Sequence, residues 1–231
     1  MPFSLSEIAG ALDATNLKLD ASAADIEALC HDALGHSVAT VCVYPTNVPL
    51  CRKILGSGDV GIAAVIGFPS GRYSTRSKIV EIDEVSAMGA SEVDIVLNYP
   101  ALIEGQTEAL RKEASQLAEA CRKVGLVSKF IVETCYLDEA QKLTMLDICE
   151  KAGANFIKTS TGFGSAGAQL ADIELWAKAK TSSHLKIKAS GGIRTREQVE
   201  AFLTAGASRI GLSSAKAVLS ESSTEGSSGG Y

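Results

Sequence analysis

The sequence predicts an α/β protein folded as a single (β/α)8 barrel, the TIM-barrel class, and three observations carry the prediction. Short apolar strands alternate with helix-patterned segments along residues 1–220 of the 231, with no shift in composition there that would separate two domains. A loose repeat, Met88-Gly89-Ala90, Ala152-Gly153-Ala154 and Ala205-Gly206-Ala207, closes a helix just before a strand each time. The rival arrangement, a doubly wound open sheet, lacks its signature, because no G-x-G-x-x-G follows the first strand.

In chain order, Ser6 precedes a short helical stretch with Glu7 in its first turn. Residues 11–17 form a first strand with Asp13 and Thr15 at alternating positions. Ser22 is the N-cap of a helix to about Leu34, with Asp25 and Glu27 near its start and Gly35 as its stop. Residues 37–44 are a second strand. Pro45 and Thr46 open a helix that stops near Gly56, and residues 60–66 are a third strand ending in the loop Gly67-Phe68-Pro69-Ser70-Gly71. A helix from about Ser74 to Met88 carries Ile79, Ile82, Val85 and Met88 at helical spacing. Strand 92–98, a helix over about 106–123, strand 127–133 and a helix over 139–151 follow. The apolar run at 155–158 is a buried sixth strand, and a helix over about 170–180 leads to strand 185–189. A turn at 191–194, a helix capped by Thr195 and running to about Thr204, strand 208–211 and a last helix over 213–219 complete the barrel. The barrel domain is expected over residues 1–220. The Ser/Gly-rich segment 221–231, ending in Tyr231, reads as a flexible tail.

Composition narrows the function classes. Hydrophobic residues make up 46% of the chain, enough for a sizeable core, and the formal net charge of −5 argues against general nucleic-acid affinity or a basic membrane-binding patch. No apolar run approaches a membrane span, and the N-terminus lacks a basic segment followed by an apolar one, so a cytoplasmic protein is expected. Six cysteines are scattered without a C-x-x-C pair and read as reduced, mostly buried small residues. Three histidines lie far apart and suggest no metal cluster, and no cofactor is expected.

Polar residues on inward-facing strand positions carry the functional signal. Alternate residues of a barrel strand face the lumen, where charges need a reason to be. Glu92, Asp94, Val96 and Asn98 share one face of the fourth strand; Val127, Lys129, Ile131 and Glu133 share one on the fifth; Lys186 and Lys188 share one on the seventh. With Lys158 and Asp13, opposite charges gather in one lumen. Buried ion pairs stabilise poorly compared with apolar packing, so several in one core favour a site over a structural network. Lys158 and Lys188 fall at strand C-terminal ends, where this fold builds its active sites. A lysine desolvated there, beside another cation, becomes a neutral amine and a nucleophile toward carbonyls; one that reaches water stays an ordinary ammonium. Glu92 and Lys186, early in their strands, read as structural, and Lys129 as intermediate. After the seventh and eighth strands, Gly191-Gly192 and Gly211-Leu212-Ser213-Ser214 are turns suited to a phosphate, although ordinary strand-to-helix turns use the same residues.

Leu12-Asp-Ala-Thr, Ala39-Thr-Val-Cys-Val-Tyr-Pro45, Gly67-Phe-Pro-Ser-Gly71, Glu92-Val-Asp-Ile-Val96, Phe156-Ile-Lys-Thr-Ser-Thr-Gly162 and Lys188-Ala-Ser-Gly-Gly-Ile-Arg194 together resemble the deoxyribose-phosphate aldolases, acetaldehyde-dependent class I aldolases, over nearly the whole chain. The resemblance implies reversible cleavage of 2-deoxy-D-ribose 5-phosphate to acetaldehyde and D-glyceraldehyde 3-phosphate, in deoxyribose phosphate catabolism. It implies Lys158 as the Schiff-base lysine, Lys188 as the neighbour that keeps it neutral and transfers protons, and Asp94 as their acid/base. Thr161, Gly162, Gly191, Gly192, Ser213 and Ser214 would hold the phosphate, and Asp13 and Thr15 would orient sugar hydroxyls or waters. Lys129 and Tyr231 are possible assisting residues. Small phosphosugar and aldehyde substrates, no nucleic acid, no membrane and a homodimer are implied with it. Ala14 departs from the family, many of whose members carry His between Asp and Thr. Tyr231 invites comparison with a mobile C-terminal tyrosine in some members. Cys42 reads as packing, on a strand face close enough to the lumen to meet an aldehyde.

Overall fold

In the structure, a computed structural model describing residues 3–220, eight parallel strands close into one barrel in sequential order. The elements, in order, are α1 (Leu5–Gly10), β1 (Leu12–Thr15), α2 (Ala23–His36), β2 (Thr40–Val43), α3 (Val48–Leu55), β3 (Gly61–Ile66), α4 (Thr75–Ala87), β4 (Glu92–Val96), α5 (Tyr99–Ile103), α6 (Thr107–Lys123), β5 (Val127–Ile131), α7 (Glu139–Ala152), β6 (Phe156–Lys158), α8 (Leu170–Ala179), β7 (Lys186–Ser190), α9 (Arg196–Thr204), β8 (Arg209–Leu212) and α10 (Ala215–Ser220). The expected (β/α)8 class is the observed one. No helix among the described residues is long and apolar enough to cross a membrane. The tail at 221–231, with Tyr231, lies outside the described residues.

Local chemistry sets the helix ends. Ser22, Asp138 and Thr195 each accept from the backbone three residues on, and the side chain there returns a bond to the cap, which satisfies two orphan donors at once. Ser74 caps α4 in the simpler way. The three repeat glycines close their helices in the left-handed region, Gly89 at φ +100°, Gly153 at +74° and Gly206 at +113°, which turns the chain into the next strand.

Several boundaries differ from the sequence reading. The first helix is capped by Ser4, not Ser6, because Ser4 is the residue that stands three before Glu7 and completes the reciprocal cap. Helix α2 runs through Gly35 to His36 and ends where Ser37 turns left-handed (φ 54°). Pro45–Asn47 is a 3₁₀ turn ahead of α3, and a second one, Thr134–Tyr136, follows β5. Helix α5 is additional to the expected elements. Strands β1 to β6 are shorter than expected, because ladder pairing stops before the apolar runs do, whereas β7 and β8 keep their expected lengths and lie one residue later.

Alternation divides each strand. The outward side chains of β4, Val93 and Ile95, join Ile62, Ile66, Phe130, Ile157, Ile187 and Ile210 in one continuous layer against the helices. Inside, Cys42, Ala63 and Val65 form an apolar wall with Leu17, and Tyr44 and Phe68 pack against it. Charged side chains occupy much of the rest of the lumen, beside Val96, Ile131 and Phe156.

Candidate active site

Charged side chains from six of the eight strands fill the lumen. Asp94 of β4 is the hub. Its Oδ2 lies 2.6 Å from Lys158 Nζ and 2.7 Å from Lys188 Nζ, and its Oδ1 lies 2.8 Å from Lys129 Nζ. Lys188 also donates to Asp13, and Lys129 reaches both Glu92 and Asp13. Arg209 closes the lower end, with Nη1 2.7 Å from Asp13 Oδ1 and 3.0 Å from Glu92 Oε2. Its guanidinium also stacks over the Phe156 ring at 5.3 Å.

The strand register brings these side chains into one lumen. Asp94 pairs across to Lys129 on β5, and Lys158 on β6 pairs across to Lys188 on β7, with all four on the inward face. Gly211 on β8 leaves the space that Lys188 occupies: a Cβ there would stand 3.1 Å from Lys188 Cε.

The three lysines differ in their partners. Among the described residues, Lys129 meets three carboxylates, Lys188 two and Lys158 one, which is itself shared with the others. Four cations (Lys129, Lys158, Lys188, Arg209) face three anions (Asp13, Glu92, Asp94), so the cluster balances when one cation gives up its proton. Lys158 is the one that does so most readily. Burial lowers its pKa, the Asp94 charge opposes that only in part, and Lys188 lowers it further. Lys188 is buried as deeply, yet Asp13 and Asp94 outweigh burial and hold its pKa above the ordinary lysine value. Asp13 and Asp94 resist burial in turn and stay ionised, well below the usual carboxylate range, under the pull of the lysines around them.

Above this cluster a cavity of about 790 Å³ opens at the C-terminal ends of the strands. Lys158 lines it, whereas Lys188, Lys129, Asp94 and Asp13 lie beneath. Of the other sequence candidates, Thr15, Thr161, Gly162, Gly191, Gly192 and Ser213 line the same cavity. Ser214 stands beside it, its hydroxyl buried and without a hydrogen-bond partner among the described residues. Asp13 is thus placed to hold Lys188 and Arg209 rather than to meet a sugar hydroxyl directly. Thr161 lines the cavity, but its N–H and O–H both donate to Glu133. Ala14 is buried in the outer apolar layer, on the opposite face of β1 from Asp13. Cys42 is fully buried, its sulfur 3.8 Å from Asp94 Oδ2 and its thiol pushed up to about 11 by burial and the Asp94 charge.

Three features escape the sequence reading. Arg209 shares the inward face of β8 with Gly211, and applying the alternation rule to that strand would have found it. Lys18 and Arg194 line the cavity mouth, with Asp20, Asp25 and Asp32 along its α2 side. The bond from Thr161 to Glu133 spans 28 residues and has no local signature.

Comparison with known proteins gives a consistent result. The family model for the DeoC/LacD family aldolases matches residues 8–221. The chain is 46% identical over 208 residues to the deoxyribose-phosphate aldolase of Treponema denticola, covering 90% of this chain and 96% of that one. It is 44% identical over 216 residues to that of Caldicellulosiruptor saccharolyticus, covering 93% and 98%. The tetrameric deoxyribose phosphate aldolase of Aeropyrum pernix superposes with a TM-score of 0.86 at 30% identity, covering 94% of this chain and 91% of that one.

Proposed function

The chain belongs to the DeoC/LacD family of aldolases, and from that premise we propose that it reversibly cleaves 2-deoxy-D-ribose 5-phosphate to acetaldehyde and D-glyceraldehyde 3-phosphate through a Schiff base on Lys158. The observation that carries the reading is the unequal sharing of carboxylates. Lys158 alone of the three lumen lysines reaches the cavity, and it has the weakest hold on its proton.

The neutral Lys158 amine attacks C1 of the open-chain sugar to give a carbinolamine. Loss of water, with the leaving hydroxyl taking a proton from the Asp94–Lys188 pair, gives the iminium. Asp94, through a water, then takes the C3 hydroxyl proton. The C2–C3 bond breaks, its electrons pass into the iminium to form an enamine, and D-glyceraldehyde 3-phosphate leaves. Protonation of the enamine carbon and hydrolysis release acetaldehyde and restore Lys158. Lys188 is suited to the proton transfers because its two carboxylates keep it charged and hydrogen-bonded to the same Asp94 oxygen as Lys158.

Lys129 and Arg209 are the floor. They hold Asp94, Asp13 and Glu92 from below without reaching the cavity. The phosphate is assigned to the other side of the mouth, over Gly162, Gly191, Gly192 and Ser213, with the Ser214 hydroxyl an unused donor beside it. Lys18 and Arg194 supply the positive charge a phosphate dianion needs. Because both donors of Thr161 are committed to Glu133, Thr161 shapes the pocket; Thr15, whose hydroxyl donates to the Asp13 carbonyl at 3.0 Å, keeps its acceptor lone pairs for sugar hydroxyls or waters. A cytoplasmic, catabolic role and a homodimer belong to the same proposal, the latter readable by light scattering. Lys158→Ala tests the core of it: cleavage should disappear while circular dichroism and thermal unfolding stay those of the parent. Full activity in that variant would contradict the assignment.

A further inference from the structure

Glu133 takes no part in the aldol chemistry, yet it is the least ordinary residue near it. It is 2% exposed, and no lysine or arginine among the described residues forms an ion pair with it. Its backbone is left-handed (φ 52°, ψ 68°), a strained conformation for a non-glycine residue that persists only where surrounding structure requires it. Burial pushes its carboxyl pKa up, against the bonds from Thr161 and the nearby Lys158. A carboxylate desolvated, strained and without an ion-pair partner is costly, so what it holds is informative.

It holds Thr161. The Thr161 N–H lies 3.2 Å from Oε1 and 3.3 Å from Oε2, and the Thr161 hydroxyl donates to Oε2. The same hydroxyl accepts from the Phe163 N–H at 3.0 Å. On either side, backbone bonds from Val132 to Lys158 and from Thr134 to Thr159 bind the end of β5 to the end of β6. The Phe163 ring then packs edge-on against Phe68 at 5.3 Å, and Phe68 against Tyr44 at 5.9 Å. One carboxylate therefore sets the path of the chain that leaves Lys158 and ends in an aromatic arc at the cavity mouth.

We propose that Glu133 is a positioning residue for the aldolase reaction: by accepting both donors of Thr161 it locks the Thr161–Phe163 turn against the cavity, so that the phosphosugar is held in line with Lys158. The inference rests on the proposed role of Lys158. It requires acceptor oxygens and no proton transfer, and it assigns Glu133 no contact with substrate. Glu133→Gln keeps an acceptor oxygen for Thr161; Glu133→Ala removes both.

The test compares Glu133→Gln, Glu133→Ala, Thr161→Val and the Glu133→Ala/Thr161→Val double variant for phosphosugar cleavage, each normalised to the sites labelled by acetaldehyde and borohydride. Glu133→Ala should lose roughly 10- to 100-fold in kcat/KM while Lys158 is still labelled at the parent stoichiometry. Glu133→Gln should recover most of the loss, and the double variant should be no worse than Glu133→Ala, as for two residues acting through one bond. Full turnover in Glu133→Ala, no recovery in Glu133→Gln, or additive losses in the double variant would overturn the clamp while leaving Lys158 in its role. Absence of label in the parent protein would remove the Lys158 reading, and the clamp with it.

Discussion

Lys158 and Lys188 bind the same oxygen of Asp94, at 2.6 and 2.7 Å, yet their ammonium groups are not equivalent. Lys188 also holds Asp13, fully buried beneath, whereas Lys158, which faces the cavity, pairs among the described residues with Asp94 alone. Two lysines side by side on adjacent strands thus differ in charge state: the pKa of Lys188 is held above the ordinary lysine value and that of Lys158 falls below it. That difference follows from the number of carboxylates within reach of each.

Removing the charge of Lys188 should make Lys158 harder to deprotonate. A neighbouring cation disfavours the ammonium form; without it the Lys158 pKa rises, and Asp94, freed of one partner, raises it further. Lys188→Met should therefore lose about 10²–10⁴-fold in kcat, as expected for loss of a general acid/base group. Its residual activity should show an acid limb displaced to higher pH. A pH–rate profile with an unmoved or lower limb would be inconsistent with this electrostatic role.

The buried hydroxyl of Ser214 has no hydrogen-bond partner among the described residues, so the barrel does not depend on it. Ser214→Ala should leave thermal stability unchanged or slightly higher. The same substitution should raise KM for 2-deoxy-D-ribose 5-phosphate about tenfold, the worth of one charge-assisted hydrogen bond, while KM for the unphosphorylated sugar stays as it was. Steady-state kinetics on the two sugars distinguish this from a general loss.

A second buried ion pair ties the end of β4 to the helices. Lys78 of α4 donates to Glu113 of α6 and to the Val96 carbonyl, each at 2.7 Å, and Glu113 accepts from the Asn98 N–H at 3.0 Å. Breaking such a pair from one side leaves an uncompensated buried charge. Lys78→Met should cost about 3–5 kcal/mol in urea unfolding, and adding Glu113→Gln should recover part of it. Equal stabilities for parent and Lys78→Met would show that the pair carries no net weight.

Much of the site is legible in the amino-acid sequence. Alternation on β4, β5 and β7 places Asp94, Lys129 and Lys188 on inward faces, and the positions of Ser22, Ser74 and Thr195 mark three helix starts. Helix α5 is not legible, because five residues including Pro100 offer too little periodicity to stand out from a loop. Neither is the 3₁₀ turn that follows Glu133. Least legible of all is which side chain holds which. That Asp13 supports Lys188, that Arg209 joins Asp13 to Glu92, and that Thr161 is bound to Glu133 depend on side chains meeting across strands. Local pattern carries face and register. It does not carry the allotment of four cations among three carboxylates.

The central claim is that Lys158 is the amine that condenses with the aldehyde. Its most direct measurement is borohydride reduction in the presence of acetaldehyde, followed by peptide mass spectrometry. The account predicts one reduced ethyl adduct, confined to the peptide carrying Lys158. An adduct on Lys188 instead would reverse the two lysine roles argued here, and a folded protein with no adduct on either would contradict imine chemistry altogether.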